Sequence, residues 1–350
     1  MPELRNLVSQ AELKKRLEES TEARTTISFY RYHPIADPRA FRDELYVSLE
    51  LLGVLGRIYV ANEGINAQIS VPERRLEEFR AYLESIDFLK GIRLNIALQD
   101  DGKSFWVLTI KVRRKIVADG IEDPDFSMER KGRYVDAVEF NELAARPDTI
   151  VVDMRNYYEY EVGHFENALE VSSDTFREQL PMAVEMLEGK KDRDIIMYCT
   201  GGIRCEKATA YLLHHGFANV AHLEGGIIEY VRQVKELGLE NRFRGKNFVF
   251  DNRLGEQICE EIISHCHQCG DPADTHQNCE NPACHLLFIQ CAKCREAFAG
   301  CCSQECHDLK HLSPEEQLLL EQNRDEAPGS FNNSRSRRRV RFFDVKRRAE

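Results

Sequence analysis

The sequence predicts a multidomain α/β protein with an N-terminal α+β domain, a central α/β domain built on a parallel sheet, and a C-terminal cysteine-rich module. Three observations predict it. An alternation of strand-like and helical patterns fills the first hundred residues, and a second alternation runs from Val135 to about Leu239. Ten of the twelve cysteines then lie between Cys259 and Cys306. A length of 350 residues accommodates two or three domains.

The N-terminal domain, residues 1–102, begins with a predicted strand, TTISFYRYHPI, which is rich in β-branched and aromatic residues. A helix follows, because apolar residues recur with helical spacing between Phe41 and Leu52. Two short strands around an Asn-Glu-Gly turn, a helix after Pro72 and the strand IRLNIAL complete the pattern. The order β-α-β-β-α-β is that of a ferredoxin-like fold, which hosts many functions and specifies none.

Residues 103–132 are a predicted connector with a basic segment. Valine and isoleucine alternate there with lysine and arginine, which predicts a strand with one solvated, charged face. The same charges would contact phosphates if the partner were RNA. The candidate RNA contacts are Lys111, Arg113, Arg114, Lys115 and, slightly farther along the chain, Arg133.

The central domain, residues 133–240, contains four short apolar runs separated by helical stretches: TIVVDM, ALEVS, DIIMYC and VAHLEGG. Strands that alternate with helices predict a parallel sheet, and ligands bind such sheets beyond the carboxyl ends of the strands. Cys199 ends one of the runs. We therefore expect its thiol at the ligand-binding edge of the sheet.

The segment CTGGIR, from Cys199 to Arg204, joins this strand to the next helix. Backbone N–H groups in a curl that glycine permits converge into an anion-binding nest, and the positive end of the helix adds to it. With the Arg204 guanidinium, these groups would lower the thiol pKa and hold an anion at the sulfur. A cysteine that only fills the core needs none of them, so the segment predicts a reactive thiol.

The C-terminal module, residues 241–312, contains two CxxC pairs with further cysteines between and after them. Closely spaced thiolates chelate tetrahedral zinc, and four pairs serve two ions. An interleaved arrangement gives one site of Cys266, Cys269, Cys291 and Cys294, and a second of Cys279, Cys284, Cys302 and Cys306. We expect two structural zinc ions, because sites made only of cysteines leave no open position for a substrate. Cys301 in place of Cys302, and ligation by His276, His285 or His307, remain alternatives.

The charge is unevenly distributed along the chain. The net charge is −11, yet residues 332–350 carry eight basic and two acidic residues. The tail, residues 313–350, is therefore predicted to be flexible and basic, and to be either an RNA-binding segment or a solvated extension. The sequence has no run of 18 apolar residues and no signal-peptide core at the N-terminus. These features predict a soluble, cytoplasmic protein without a membrane partner.

The central domain resembles the rhodanese family in three segments: VVDMRNYYEYEVGHFENAL, YCTGGIRCEKATAYL and VAHLEGGIIEY. The resemblance implies a rhodanese-like fold and a persulfide carried by Cys199, with Arg204 as the anion partner. It implies loop amide donors at Thr200, Gly201, Gly202 and Ile203, and buried support from Asp153 and Arg155. The related cysteine phosphatases have five residues between cysteine and arginine, whereas this loop has four, which favours sulfur over a tetrahedral phosphate.

The combination of domains, with ANEGINAQIS, DDGKSFWVL and CTGGIRCEKA, resembles the bacterial tRNA uridine hydroxylases of the rhodanese superfamily over most of the chain. The resemblance implies an oxidoreductase that converts uridine 34, the wobble base in the tRNA anticodon loop, to 5-hydroxyuridine with molecular oxygen as co-substrate. It leaves open the identity of the electron donor and of any protein that donates sulfur or electrons. It also leaves open whether Cys199 acts as a thiolate or as a persulfide. The alternatives are a sulfurtransferase that acts through a Cys199 persulfide, and a non-catalytic zinc adaptor, against which the intact Cys199 and Arg204 argue.

Overall fold

The computed structural model describes residues 8–281 and 284–310, together with Leu4, Asn6, Leu312 and Glu316. The predicted basic tail, residues 313–350, lies outside the described residues except for Glu316. The described chain divides into two compact units. The first combines the described part of Met1–Arg155 with Asn167–Arg242 and Val249–Glu256; the second combines Asn156–Glu166, Phe243–Phe248 and the described residues from Gln257 onward.

The N-terminal part of the first unit is a five-stranded sheet with helices on one face. Its elements are α1 (Gln10–Glu19), β1 (Arg24–Tyr32), α2 (Pro38–Leu51), β2 (Leu55–Ala61), β3 (Gly64–Pro72), α3 (Leu76–Glu84), β4 (Asn95–Ile96) and β5 (Leu108–Val112). The strand order β4-β1-β3-β2-β5 contains the ferredoxin-like arrangement, which confirms the predicted β-α-β-β-α-β order. The fifth strand comes from the predicted connector and pairs in parallel with β2.

The two faces of this sheet differ because side chains alternate along each strand. One face carries Ile27, Phe29 and Ile69 and packs on Leu45 and Leu49 of α2 and Phe79 of α3. The opposite face, here called the polar face, carries tyrosine, serine and amide side chains. Its residues are Ser28, Tyr30 and Tyr32 of β1, Asn66 and Gln68 of β3, and Asn95 of β4, which lies opposite Ser28.

The central sheet is parallel throughout, as the alternation of strands and helices predicts. Its strand order is β6-β11-β10-β7-β9. The elements in chain order are β6 (Arg133–Val135), α4 (Ala137–Ala144), β7 (Ile150–Asp153), α5 (Tyr157–Val162), β8 (Gly163–Phe165), β9 (Leu169–Glu170), α6 (Phe176–Met186), β10 (Asp194–Tyr198), α7 (Ile203–His214), β11 (Asn219–Leu223) and α8 (Gly226–Leu237). Each of the four predicted apolar runs overlaps one of these strands, and β10 lies in the middle of the sheet. Helix α5 and strand β8 belong to the second compact unit.

The second unit is built around a three-stranded sheet and a two-stranded antiparallel pair. Strand β12 (Phe243–Asn247) pairs with β8, and after β13 (Glu256–Gln257) the hairpin-like pair β14 (His276–Asn278) and β15 (Leu287–Ile289) forms. Helices α9 (Ala292–Ala297) and α10 (Gln304–Lys310) follow. Among the described residues, none of the helices has the length and apolar character needed to cross a membrane.

Candidate active site and metal centres

Cys199 follows β10 directly and lies at the carboxyl edge of the central sheet, as expected. Its side chain is buried. The chain then curls through Gly202, whose φ of +99° is in the left-handed region that favours glycine, and enters α7 at Ile203. The amide of Gly202 donates a hydrogen bond to the Cys199 sulfur at 3.2 Å. The loop therefore places backbone donors around the thiol.

The start of α8 holds the same loop from the other side. The amides of Ile227 and Ile228 donate to the carbonyl oxygens of Cys199 and Thr200 at 3.0 and 3.3 Å. Gly226 makes this approach possible, because its φ is +66° and a Cβ there would collide with the Cys199 carbonyl oxygen. The sequence predicts a strand ending in this Glu-Gly-Gly segment but does not indicate that its glycines support the thiol loop.

The environment of Cys199 favours the thiolate. Burial by itself raises the pKa of the thiol, but a hydrogen bond from the Cys205 side chain, the charge of Arg204 and the amides of Cys205 and Gly202 outweigh it and lower the pKa to about 6. Burial raises the pKa of Cys205, so that side chain keeps its proton and acts as the donor. At neutral pH the Cys199 sulfur is therefore ionised and nucleophilic.

Arg204 is fixed beside the loop by two contacts. Its Nη2 donates to Thr200 Oγ1 at 3.3 Å, and its guanidinium carbon lies 5.6 Å from the centre of the Phe250 ring. The side chain is 93 % shielded from solvent, so water screens its charge only weakly. Its charge lowers the pKa of the Cys199 thiol, and its role as anion partner stays a prediction.

Replacing Arg204 with glutamine is expected to raise the midpoint of Cys199 ionisation from about 6 toward the ordinary value of a thiol. The physical reason is the loss of a nearby positive charge that favours the thiolate. Because only the thiolate is alkylated, the rate of iodoacetamide modification of the Cys199 peptide, followed by mass spectrometry against pH, reports this midpoint. The exposed Arg193→Gln variant serves as the control and should leave it unchanged. A midpoint near 6 in Arg204→Gln would contradict the assignment.

Asp153 and Arg155 are fully buried and form an ion pair of 2.7 Å between Oδ2 and Nη2. The amide of Met154, between them, donates to the carbonyl of Tyr198 at 2.9 Å, and the Arg155 guanidinium lies 5.5 Å from the Tyr198 ring centre. Tyr198 is the residue before Cys199. The pair therefore packs against the strand end that carries the thiol, and the role of loop support that the resemblance implies for it stays a prediction.

The polar face of the N-terminal sheet lies against the thiol loop and α7. Tyr32 Oη donates to the carbonyl of Ile203 at 3.2 Å, and Asn95 Nδ2 donates to the carbonyl of Gly201 at 3.3 Å. Tyr30 Oη donates to Glu206 at 2.9 Å. Sequence reasoning does not find these residues, because their partners lie more than a hundred positions away. The N-terminal domain therefore forms part of the site.

An ion cluster with a buried centre, Lys207 and Asp119, joins the same two parts of the chain. Lys207 Nζ of α7 lies 2.6 Å from Glu63 and 2.8 Å from Asp119, and Lys115 Nζ lies 3.8 and 3.5 Å from the same carboxylates. These four residues are here called the ion cluster. Glu63 is the acid of the Asn-Glu-Gly turn, so the cluster gives that motif a structural role.

The predicted RNA contacts are placed differently from one another. Lys115 belongs to the ion cluster, and the Arg133 guanidinium donates a hydrogen bond to the Glu139 carboxylate. Lys111, Arg113 and Arg114 are exposed. Contact of these side chains with RNA stays a prediction.

The structure brings eight cysteine sulfurs of the second unit into two groups of four. They are Cys266, Cys269, Cys291 and Cys294, and Cys279, Cys284, Cys302 and Cys306; within each group the sulfurs lie within 4.8 Å of one another. In the part of the chain that the structure describes, neither group includes Cys301 or a histidine. The grouping is the interleaved one that the spacing predicts.

The separations of the sulfurs fit tetrahedral zinc. With Zn–S bonds of about 2.3 Å, tetrahedral geometry puts neighbouring sulfurs about 3.8 Å apart. Cys269 and Cys291 are 3.6 Å apart in the first group; in the second, Cys302 is 3.8 Å from Cys284 and 3.6 Å from Cys306. Each group is thus arranged as a site capable of holding one metal ion.

Three domain families match successive parts of the chain. Residues 24–116 match the UPF0176 acylphosphatase like domain, residues 136–233 the Rhodanese-like domain, and residues 244–307 the Rhodanase C-terminal family. The first match includes β5, in agreement with its place in the N-terminal sheet.

Curated relatives match nearly the whole chain. The tRNA uridine(34) hydroxylase of Pectobacterium carotovorum subsp. carotovorum (strain PC1) is 61% identical over 336 residues, which cover 96% of this chain and 95% of that protein. The proteins of the same name from Enterobacter sp. (strain 638) and Yersinia enterocolitica are 59% and 58% identical over 96% of this chain, and over 97% and 96% of their own lengths. Identity at this level over full length establishes the family: the chain belongs to the tRNA uridine(34) hydroxylases of the rhodanese superfamily.

Proposed function

We propose that this protein hydroxylates uridine 34 in the anticodon loop of tRNA at C5, giving 5-hydroxyuridine. The observation that carries the proposal is the 57–61% identity over 96% of the chain to proteins named for this activity. The buried, ionised Cys199 thiol supports it, since it supplies a nucleophile at the edge of the sheet where ligands bind. The twelve free cysteines fit action in the reducing cytoplasm.

The proposed chemistry begins with addition of the Cys199 thiolate to C6 of the uracil ring. Addition at C6 converts the C4 carbonyl into an enolate and makes C5 electron-rich, so that it reacts with molecular oxygen. Placing one oxygen atom on C5 and reducing the other to water consumes two electrons and two protons, so a reductant is a required co-reactant. Loss of the proton from C5 then expels the Cys199 thiolate from C6 and restores the C5–C6 double bond. Arg204 holds the sulfur in its anionic form until the base arrives.

The test is nucleoside mass spectrometry of unmodified tRNA incubated with the purified protein, a reductant and ¹⁸O₂. A labelled oxygen on uridine 34 is the expected product. The same thiol loop suits a sulfurtransferase, whose product would instead contain sulfur, so a sulfur-containing nucleoside would replace the proposal by that alternative. Unlabelled 5-hydroxyuridine would retain the product but exclude molecular oxygen as its source.

We also propose that the two cysteine groups each hold one zinc ion with a structural role. Four thiolates in a tetrahedral array suit zinc, and four protein ligands leave no position for substrate. Because folding and metal binding are linked in such modules, the ions would stabilise the loops around β14 and β15.

Replacing Cys302 with alanine is expected to reduce the zinc content from two ions per chain to one. Cys302 contributes a sulfur to the second group, whereas the adjacent Cys301 does not. Cys301→Ala is therefore the matched control and should keep two ions, since it removes a neighbouring buried thiol outside the group. Metal analysis of anaerobically purified protein measures both. Equal loss in the two variants, or no zinc in the wild type, would be incompatible with the assignment.

A further inference from the structure

Asn95 has an unusual hydrogen-bonding state at the thiol loop. It lies on β4 opposite Ser28 and is 5 % exposed. Its Nδ2 donates to the Gly201 carbonyl at 3.3 Å, but its Oδ1 is shielded from solvent and has no hydrogen-bond partner among the described residues. A buried acceptor without a donor costs free energy, so its presence in a site suggests that a ligand supplies the donor.

The position of Asn95 places that acceptor beside the reactive loop. A Cβ built on Gly201 would lie 3.5 Å from Asn95 Nδ2 and 3.8 Å from Ser28 Oγ. Gly201 and its neighbours Thr200 and Ile203 are partly exposed, although Cys199 beneath them is buried. The Asn95 amide therefore lies directly against the thiol loop, within contact distance of Gly201.

The orientation of this amide is set by its neighbour. Because the Gly201 carbonyl can only accept, it holds the NH₂ end of Asn95 and leaves Oδ1 as the free end. Uracil presents a donor, N3–H, between two carbonyl acceptors. Cytosine presents an unprotonated N3 at the same position, whose lone pair would face Oδ1. An acceptor fixed in this way complements uracil and disfavours cytosine.

We propose that Asn95 Oδ1 accepts a hydrogen bond from N3–H of the target uracil, and that Asn95 is a specificity-determining residue of this enzyme. The assignment rests on the proposed function, because it takes a uridine of tRNA as the ligand. It also gives the N-terminal domain a part in the reaction: its polar face reads the base that the rhodanese-like domain attacks.

The experiment compares the binding of three anticodon stem-loop RNAs that carry uridine, N3-methyluridine or cytidine at position 34. The wild type should bind the uridine RNA more tightly than the other two. Asn95→Ala should bind it about 10- to 100-fold more weakly, as expected for a lost hydrogen bond to a buried group, and should no longer distinguish it from N3-methyluridine. If Asn95 contacts N3–H, the variant loses both its affinity for the uridine RNA and its preference for uridine over N3-methyluridine. A general disruption of the site would weaken binding but leave that preference.

The matched control is Asn66→Ala. Asn66 lies on the same sheet face and also donates from Nδ2 to a backbone carbonyl, that of Ile116 at 3.1 Å, instead of the thiol loop. This variant should keep the wild-type preference. The alkylation midpoint of Cys199 in Asn95→Ala shows whether the loop itself is intact, and it should stay near the wild-type value.

Two outcomes would overturn the inference: a wild type that binds the three RNAs equally, or an Asn95→Ala variant that retains the preference for uridine. Both are independent of turnover. If the wild type discriminates but forms no 5-hydroxyuridine, the proposed reaction fails while base reading by Asn95 stands. If the wild type forms 5-hydroxyuridine and Asn95→Ala prefers the uridine RNA as strongly as the wild type does, only the role of Asn95 fails.

Discussion

Replacing Cys199 with serine is expected to abolish formation of 5-hydroxyuridine in tRNA, with a loss on the order of 10³-fold or more. The surrounding amides and Arg204 lower the pKa of the thiol to about 6, whereas a serine hydroxyl stays protonated in the same loop. The expectation holds whether the sulfur acts as a thiolate or carries a persulfide, since serine can do neither. Nucleoside mass spectrometry of tRNA after a timed reaction measures it.

Cys205→Ala is the matched comparison, because Cys205 is a second fully buried thiol in contact with the first. It should retain most of the activity at alkaline pH. Its side chain helps to lower the pKa of Cys199, so its removal should move the acid limb of the pH–rate profile to higher pH. A large loss at every pH would show instead that Cys205 takes part in the chemistry, for example by resolving an oxidised Cys199.

A trapping experiment distinguishes a Cys199 thiolate from a Cys199 persulfide. Thiolate addition to C6 predicts a covalent adduct between the protein and tRNA that carries 5-fluorouridine at position 34, stable to denaturation. Absence of an adduct in an otherwise active preparation would favour the persulfide. Mass spectrometry of the Cys199 peptide, which would then be heavier by one sulfur, provides the complementary observation.

Much of the fold follows from local patterns in the sequence. The run TTISFYRYHPI, rich in β-branched and aromatic residues, predicts β1. The apolar run ending at Cys199 predicts the edge of the parallel sheet at which the thiol lies. The CTGGIR segment predicts the loop chemistry because glycine conformation, helix start and arginine charge are all local properties. The cysteine spacing also predicts the two groups, but it cannot choose between adjacent Cys301 and Cys302. The folded positions of the sulfurs place Cys302, and not Cys301, in the second group.

The parts that local reasoning misses depend on contacts between distant segments. Asn95 bonds to Gly201 across 106 positions, and Lys207 pairs with Glu63 across 144. Alternation along a strand shows that one face of the N-terminal sheet is polar, but it does not show what covers that face. Solvent is the ordinary partner of a polar face, so the expectation of a separate ferredoxin-like domain is natural. The contacts instead show that residues of this domain line one side of the thiol loop.

The contribution of the ion cluster to the stability of the first unit can be tested at Lys207. Its Nζ is 2.6 Å from Glu63 and 2.8 Å from Asp119. Lys207→Met is expected to lower the free energy of unfolding of the first unit by about 3–5 kcal/mol. The variant leaves the fully buried Asp119 carboxylate with the amide of Ile121 and with Lys115, at 3.5 Å, as its remaining cation partner; a buried charge that loses its main partner is costly. Urea unfolding followed by fluorescence of Trp106, the single tryptophan, reports on this unit.

Lys90→Met is the control, because Lys90 is also 2.6 Å from its partner, Asp87, but both side chains are exposed. Water and salt screen that pair, so the free energy of unfolding should hardly change. If the two variants lost equal stability, distance and not burial would determine the effect, and the ion cluster would have no special role. The double variant Lys207→Met/Asp119→Asn provides the decisive comparison: by removing the stranded charge along with its partner, it should recover part of the stability that Lys207→Met loses. Recovery of that kind would show that the cost lies in an unpaired buried carboxylate, and hence that the burial of Lys207 and Asp119 determines how strongly the ion cluster stabilises the contact between the N-terminal sheet and the helix of the thiol loop.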